Sequence, residues 1–282
     1  MRKLSVLPLL LVGALSLAAC DIKTSANGNF SFDLAAGKAT DTWSRTYKVS
    51  DKGRFELINV NGRITAEPTD GAEVIVEGRR TAKANSDEAA KELLAKIEIR
   101  EEVGDSTVRV ESRPPRLSGF SGHEIEWTIK VPKGIVLDLR TTNGGVRLND
   151  LSNDIHAKTT NGGVKGTNIV PGLIEASAVN GGVEFELASP LEAGDSIDME
   201  TVNGGVELAL PNESKASIEA RCVNGGVHVD GVSIKRPDDG NQNDFERRRR
   251  LTGDMNGGGA RVRMSTTNGG VRLSASSGKK TT

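Results

Sequence analysis

Leu137-Asp138-Leu139-Arg140-Thr141-Thr142-Asn143-Gly144-Gly145-Val146-Arg147-Leu148 is the stretch on which the fold turns. Leu137, Leu139 and Thr141 alternate with Asp138, Arg140 and Thr142, a period of two that marks a half-buried strand. Asn-Gly-Gly follows as a turn, and Val146 and Leu148 resume the alternation beyond it. The tetrapeptide Asn-Gly-Gly-Val then recurs, starting at Asn143, Asn161, Asn180, Asn203, Asn224 and Asn268. The first five copies lie 18, 19, 23 and 21 residues apart, and the last follows after 44. A period near 20 is the mark of stacked repeats, each burying its apolar edge against the next.

Aligned on the asparagine, the copies agree column by column. Six residues before it stand Leu137, Ile155, Ile174, Ile197, Ile218 and Val262. Two before it stand Thr141, Thr159, Ala178, Thr201, Cys222 and Thr266. After the glycines, the valines are followed by outward Arg147, Lys165, Glu184, Glu207, His228 and Arg272, basic at the start and acidic toward the middle. Asn and Gly suit such a turn because both accept a left-handed backbone. Asn-Gly also serves tight hairpins, so a meander of antiparallel hairpins is the alternative. The near-identity of the units favours an all-β parallel β-solenoid in which like stacks on like. The asparagines keep inward parity, which predicts a ladder of side-chain amides at the corner through Asn143, Asn161, Asn180, Asn203, Asn224 and Asn268. Their role is then structural.

Outward from the repeats, the chain opens with Met1-Arg2-Lys3, an apolar run to Leu17 and then Ala18-Ala19-Cys20. The run is too short to span a bilayer and reads as a secretory signal over residues 1–19. Leu17-Ala18-Ala19-Cys20 resembles a bacterial lipobox. The resemblance implies cleavage before Cys20 and acylation there, and two or more acyl chains anchor stably. The expected location is the bacterial cell envelope, lipid-anchored on the periplasmic side of the inner or outer membrane or at the cell surface, a choice that Asp21 after the cysteine does not decide. Residues 20–41 read as the lipidated Cys and a flexible tether.

Residues 42–132 read as a β-rich N-terminal cap. Phe55 to Ile64 follows the repeat template at lower fidelity, as an atypical first coil. Ser86 to Lys96 is the clear helix, with Ser86 or Asp87 as its cap and acidic residues in its first turn. Strands are expected near residues 106–111 and 124–131. The repeats occupy residues 133–274, with a mobile insertion at 235–259 and a frayed tail at 275–282. Arg247, Arg248, Arg249 and Arg250 in that insertion are the sharpest candidate for a partner contact, with lipid phosphate or envelope-polymer carboxylate as the ligand class.

Composition narrows the function classes. The formal net charge is −1, which steers nothing toward nucleic acid. His123, His156 and His228 stand at no metal-ligand spacing. Aromatics are 3% of the chain, too few for sugar-stacking platforms. No cofactor is implied. Glu184 and Glu207 on adjacent coils are the nearest thing to the paired carboxylates of a β-helix polysaccharide enzyme, with no third group converging on them. A lipoprotein start, a β-rich segment with one helix after Ser86-Asp87-Glu88-Ala89, the Val131-Pro132-Lys133-Gly134 junction and the Asn-Gly-Gly-Val coils together resemble the "putative adhesin" family DUF4097, over residues 42–273. The resemblance implies a non-enzymatic envelope protein whose repeat surface meets an envelope polysaccharide, peptidoglycan or a protein partner. It brings no catalytic residues. An envelope-stress sensing lipoprotein is the alternative in a second class.

Overall fold

The computed structural model describes residues 22–24, 30–32, 37–115, 121–237 and 248–276. Each Asn-Gly-Gly-Val unit is one rung of a parallel β-solenoid, a longer strand turning at the glycines into a shorter one. The longer strands are β10 (Val136–Asn143), β12 (Asp154–Asn161), β14 (Leu173–Asn180), β16 (Ser196–Asn203), β18 (Ala216–Asn224) and β21 (Ala260–Asn268). Their continuations are β11 (Val146–Asn149), β13 (Val164–Ile169), β15 (Val183–Leu187), β17 (Val206–Leu210), β19 (Val227–Asp230) and β22 (Val271–Ala275). Longer strands stack in parallel in one sheet and shorter strands in a second, with equivalent residues paired: Leu137 with Ile155, Ile155 with Ile174, Ile174 with Ile197.

The alternation in the sequence is the inside–outside alternation of these sheets. The column Leu137, Ile155, Ile174, Ile197, Val262 and Ile218 is buried, as are the valines after the turn except Val227 in the last rung. Packing between columns is tight enough to couple residue sizes. A methyl group at Gly166 would lie 2.4 Å from Phe185 Cδ1, so the small residue on one rung makes room for the ring on the next.

The solenoid extends well into the section read as a cap. β4 (Arg54–Asn61) and β5 (Ile64–Pro68) form a full rung beneath β10 and β11. β8 (Thr107–Arg113) and β9 (Gly122–Val131) form another beneath that. Only then does pairing turn antiparallel. β7 (Glu98–Val103) closes the first sheet on β8, while β6 (Glu73–Ala84) and β3 (Gly37–Lys48) close the second on β9. The helix α1 (Asp87–Ala95) is capped by Ser86, whose side chain accepts from the Ala89 amide, and it buries Ala90, Leu93 and Leu94. β3 begins inside the segment read as tether, because Gly37–Asp41 pairs with Arg80–Ala84 and buries Ala39. Within the same segment, β1 (Ile22–Thr24) and β2 (Phe30–Phe32) form a two-stranded antiparallel pair.

At the C-terminal end the rungs do not follow sequence order. The last repeat does not close the array. β21 lies between β16 and β18, and β22 lies between β17 and β19. Rungs consecutive in sequence, 196–210 and 216–230, are thus held apart by the coil that comes last. The insertion at 235–259 is structured in part. Lys235 bridges Asp254, and β20 (Arg250–Met255) pairs antiparallel with β18 and buries Leu251 and Met255. Each sheet has ten strands, and β20 ends the first.

Candidate interaction surface

The repeated asparagines stand side by side at one corner. Asn143 Nδ2 donates to Asn61 Oδ1 at 2.7 Å, Asn161 to Asn143 at 2.8 Å, Asn180 to Asn161 at 2.9 Å, and Asn203 to Asn180 at 2.9 Å. Asn268 then donates to Asn203 at 2.7 Å and Asn224 to Asn268 at 2.8 Å. Every bond points the same way along the stack. At the N-terminal end, Asn61 Nδ2 meets His123 Nε2 at 3.0 Å. The inward parity of these asparagines does not bury them. The chain is already turning at that position, so Asn143, Asn161, Asn180, Asn203, Asn224 and Asn268 are exposed on the corner.

The turn chemistry also differs from a left-handed Asn-Gly pair. None of the ladder asparagines has positive φ. The first glycine is the demanding position. A Cβ on Gly144, Gly162, Gly181, Gly204, Gly269 or Gly225 would stand within 1.8–2.2 Å of a glycine carbonyl oxygen in the neighbouring rung. In most rungs the inward hydroxyl seals the same corner: Thr159 Oγ1 donates to the Gly144 carbonyl at 2.7 Å, Thr201 to Gly181 at 2.7 Å and Thr266 to Gly204 at 2.9 Å. Cys222 takes this column's place in the last rung, buried, with its thiol pushed up in pKa by burial.

The second glycines have more space and form a trough without side chains beside the ladder. Its floor includes Gly145, Gly163, Gly182 and Gly205, and its far wall is the charged column from Arg147 to Glu207. Arg63 occupies the second-glycine position of the rung formed by β4 and β5 and closes one end of the trough. Along that wall Lys165 Nζ pairs with Glu184 Oε1 at 2.8 Å, and Glu184 is the register partner of Glu207. The outer face of the first sheet changes sign at the same height. Arg140 and Lys158 give way to Glu175, Asp198 and Glu200, and the intercalated coil restores positive charge with Arg261 and Arg263 there and with Arg272 in the second sheet. The acidic band sits between two basic ones because the last coil is out of order.

One polar cluster was not legible in the repeat. Asp138 and Glu56 have outward parity, yet their side chains are only 7% and 12% exposed. Arg140 holds Asp138 through Nε and Nη2 at 2.8 Å each, which raises the arginine's own pKa, and Arg54 approaches the same carboxylate at 3.3 Å. Arg109 donates to Glu56 at 3.0 Å, and His156 Nδ1 meets Glu175 at 2.8 Å one rung further on. Every member has a partner, as buried charges require. The signal that could have found it is the register pairing of Glu56 with Asp138 under flanking arginines.

Cys20 and Arg247 lie outside the described residues. Arg250 is in β20, opposite Arg221, and its Nη2 lies 3.7 Å from Glu219. Arg248, Arg249 and Arg250 therefore sit at the C-terminal end of the stack, beside the last rung, away from the basic band at Arg140 and Arg147. Among the described residues no group of three or more His, Cys, Asp or Glu is arranged to hold a metal ion, and no helix is long and apolar enough to cross a membrane.

No family model matches the chain, and no curated protein does. Solved structures that resemble it are remote. A "putative cell adhesion protein" from Clostridium sporogenes is 12% identical, with a TM-score of 0.48, over 84% of this chain and 100% of that one. A "putative adhesin" from Bacteroides fragilis is 13% identical, with a TM-score of 0.39, over 83% and 97%. A "putative lipid binding protein" from Parabacteroides distasonis is 10% identical, with a TM-score of 0.27, over 85% and 98%.

Proposed function

We propose that this chain is a non-enzymatic, lipid-anchored envelope protein of the DUF4097 kind, held at Cys20, whose solenoid is an interaction surface for an envelope polymer or protein. The observation that carries this reading is the surface itself. Polar columns, a glycine-floored trough and an amide ladder repeat at the rung spacing of about 4.8 Å. A ligand that also repeats meets the same small set of groups at every step, and many weak contacts then sum to useful avidity. The charge bands set where an ionic polymer lies, and Arg248, Arg249 and Arg250 beside the last rung add a positive end for phosphate or carboxylate.

The test is co-sedimentation of the soluble mature chain, residues 21–282, with purified peptidoglycan and envelope polysaccharide at low and high salt. A variant with Arg248, Arg249 and Arg250 changed to Ser runs alongside. Binding that weakens with salt and falls further in the variant supports the reading. Absence of binding to every polymer sinks the polymer reading and leaves a protein partner, as in envelope signalling.

A further inference from the structure

The intercalated coil does more than set the charge bands. Residues 260–275 fill a slot between two rungs that are neighbours in sequence, and both sides of the slot present the same register. Ile197, Val262 and Ile218 align, as do Met199, Met264 and Ala220, and Asn203, Asn268 and Asn224. The coil is tied to the strand before it by Asn256-Gly257-Gly258-Gly259, in which all four residues have positive φ: 49, 88, 81 and 152 degrees. Asn256 holds this turn closed. Its Nδ2 donates to the Asn212 and Ser214 carbonyls at 2.7 and 2.9 Å, in the connection that jumps the slot. Four such residues are unfavourable for Asn256 and costly in chain entropy for the glycines. Drawn out, the same four span about 13 Å.

We propose that the slot is an exchange site for a second copy of this chain, in which the two copies trade residues 260–275 and form a reciprocal coil-swapped dimer. The traded coil makes the same contacts in either molecule, so the closed turn and the dilution of the partner decide the balance. Asn268 fits the slot in one direction only, donating to Asn203 and accepting from Asn224, which fixes the polarity of the incoming coil. An empty slot would leave strand edges open on both sides, and the partner's coil satisfies them. On an envelope surface the exchange doubles the interaction face carried by one assembly.

The test uses the mature chain with Thr266→Cys. Cys222 and residue 266 are register partners on adjacent strands, within reach of a disulfide. Two differently tagged copies are mixed, held in mild urea, returned to buffer, oxidised and run on a non-reducing gel. The expected result is a covalent heterodimer that increases with protein concentration and about fivefold with Asn256→Ala, which removes the two bonds closing the turn. A gel with only internally bonded monomer at every concentration overturns the proposal, as does a dimer in light scattering without the covalent bond. The chain with native cysteines gives a second reading independent of the new thiol. Gly257→Val strains the closed turn and is accepted by an extended hinge, so the dimer fraction in light scattering should rise. An unchanged or lower fraction overturns the proposal.

Discussion

A methyl group at Gly181 would stand 2.0 Å from the Gly162 carbonyl oxygen, whereas one at Gly182 would stand 3.3 Å from that of Gly205. The two glycines of one turn therefore differ. Gly181→Ala should destabilise by about 3 kcal/mol or more, and Gly182→Ala by less than about 1 kcal/mol, read from urea unfolding midpoints. The sequence displayed both glycines equally, because the atom that distinguishes them belongs to the next rung. His123 makes a second residue-scale prediction. Its Nε2 accepts from Asn61, its Nδ1 is buried without a partner among the described residues, and burial lowers its pKa. The unfolded chain then binds the proton more readily than the folded one. The site's contribution is present above the unfolded value of about 6.5 and is lost as pH falls from there through the folded value. His123→Gln, which can still accept from Asn61, should flatten the fall in unfolding midpoint over that window.

Among the elements, the repeat strands and the helix were legible because each carries its own signal: alternation, the Asn-Gly-Gly turn, or a Ser cap before an acidic first turn. Pairing order was not. Every rung offers its neighbours the same column of Ile, Thr, Asn and Val, so nothing within one rung says which rung sits beside it. The edge strands were illegible for a related reason. β20 lies in a charged stretch, and only Leu251 and Met255 reach the core from it. That strand covers the last edge of the first sheet, which would otherwise be open to another chain. Leu251→Lys places a charge at a residue that is 1% exposed. It should cost about 3 kcal/mol and promote aggregation. Calorimetry checks the first effect and light scattering the second.

Across the whole molecule, the two ten-stranded sheets share one rung register from Asn61 to Asn224, and that continuity makes a single surface out of separate repeats. The proposed binding face, with its acidic band between two basic ones, and the exchange slot both depend on the last coil lying inside the stack. Paired cysteines on the exposed face test this directly. Glu200 and Ser265 are register partners, as are Ser265 and Arg221, so Glu200 and Arg221 are two rungs apart. At about 4.8 Å per rung, the first pair lies within disulfide reach and Glu200 with Arg221 lies beyond it, near 10 Å. Glu200→Cys with Ser265→Cys should therefore cross-link readily on oxidation, while Glu200→Cys with Arg221→Cys should not. Cross-linking of the second pair, with the first left reduced, would contradict the rung order.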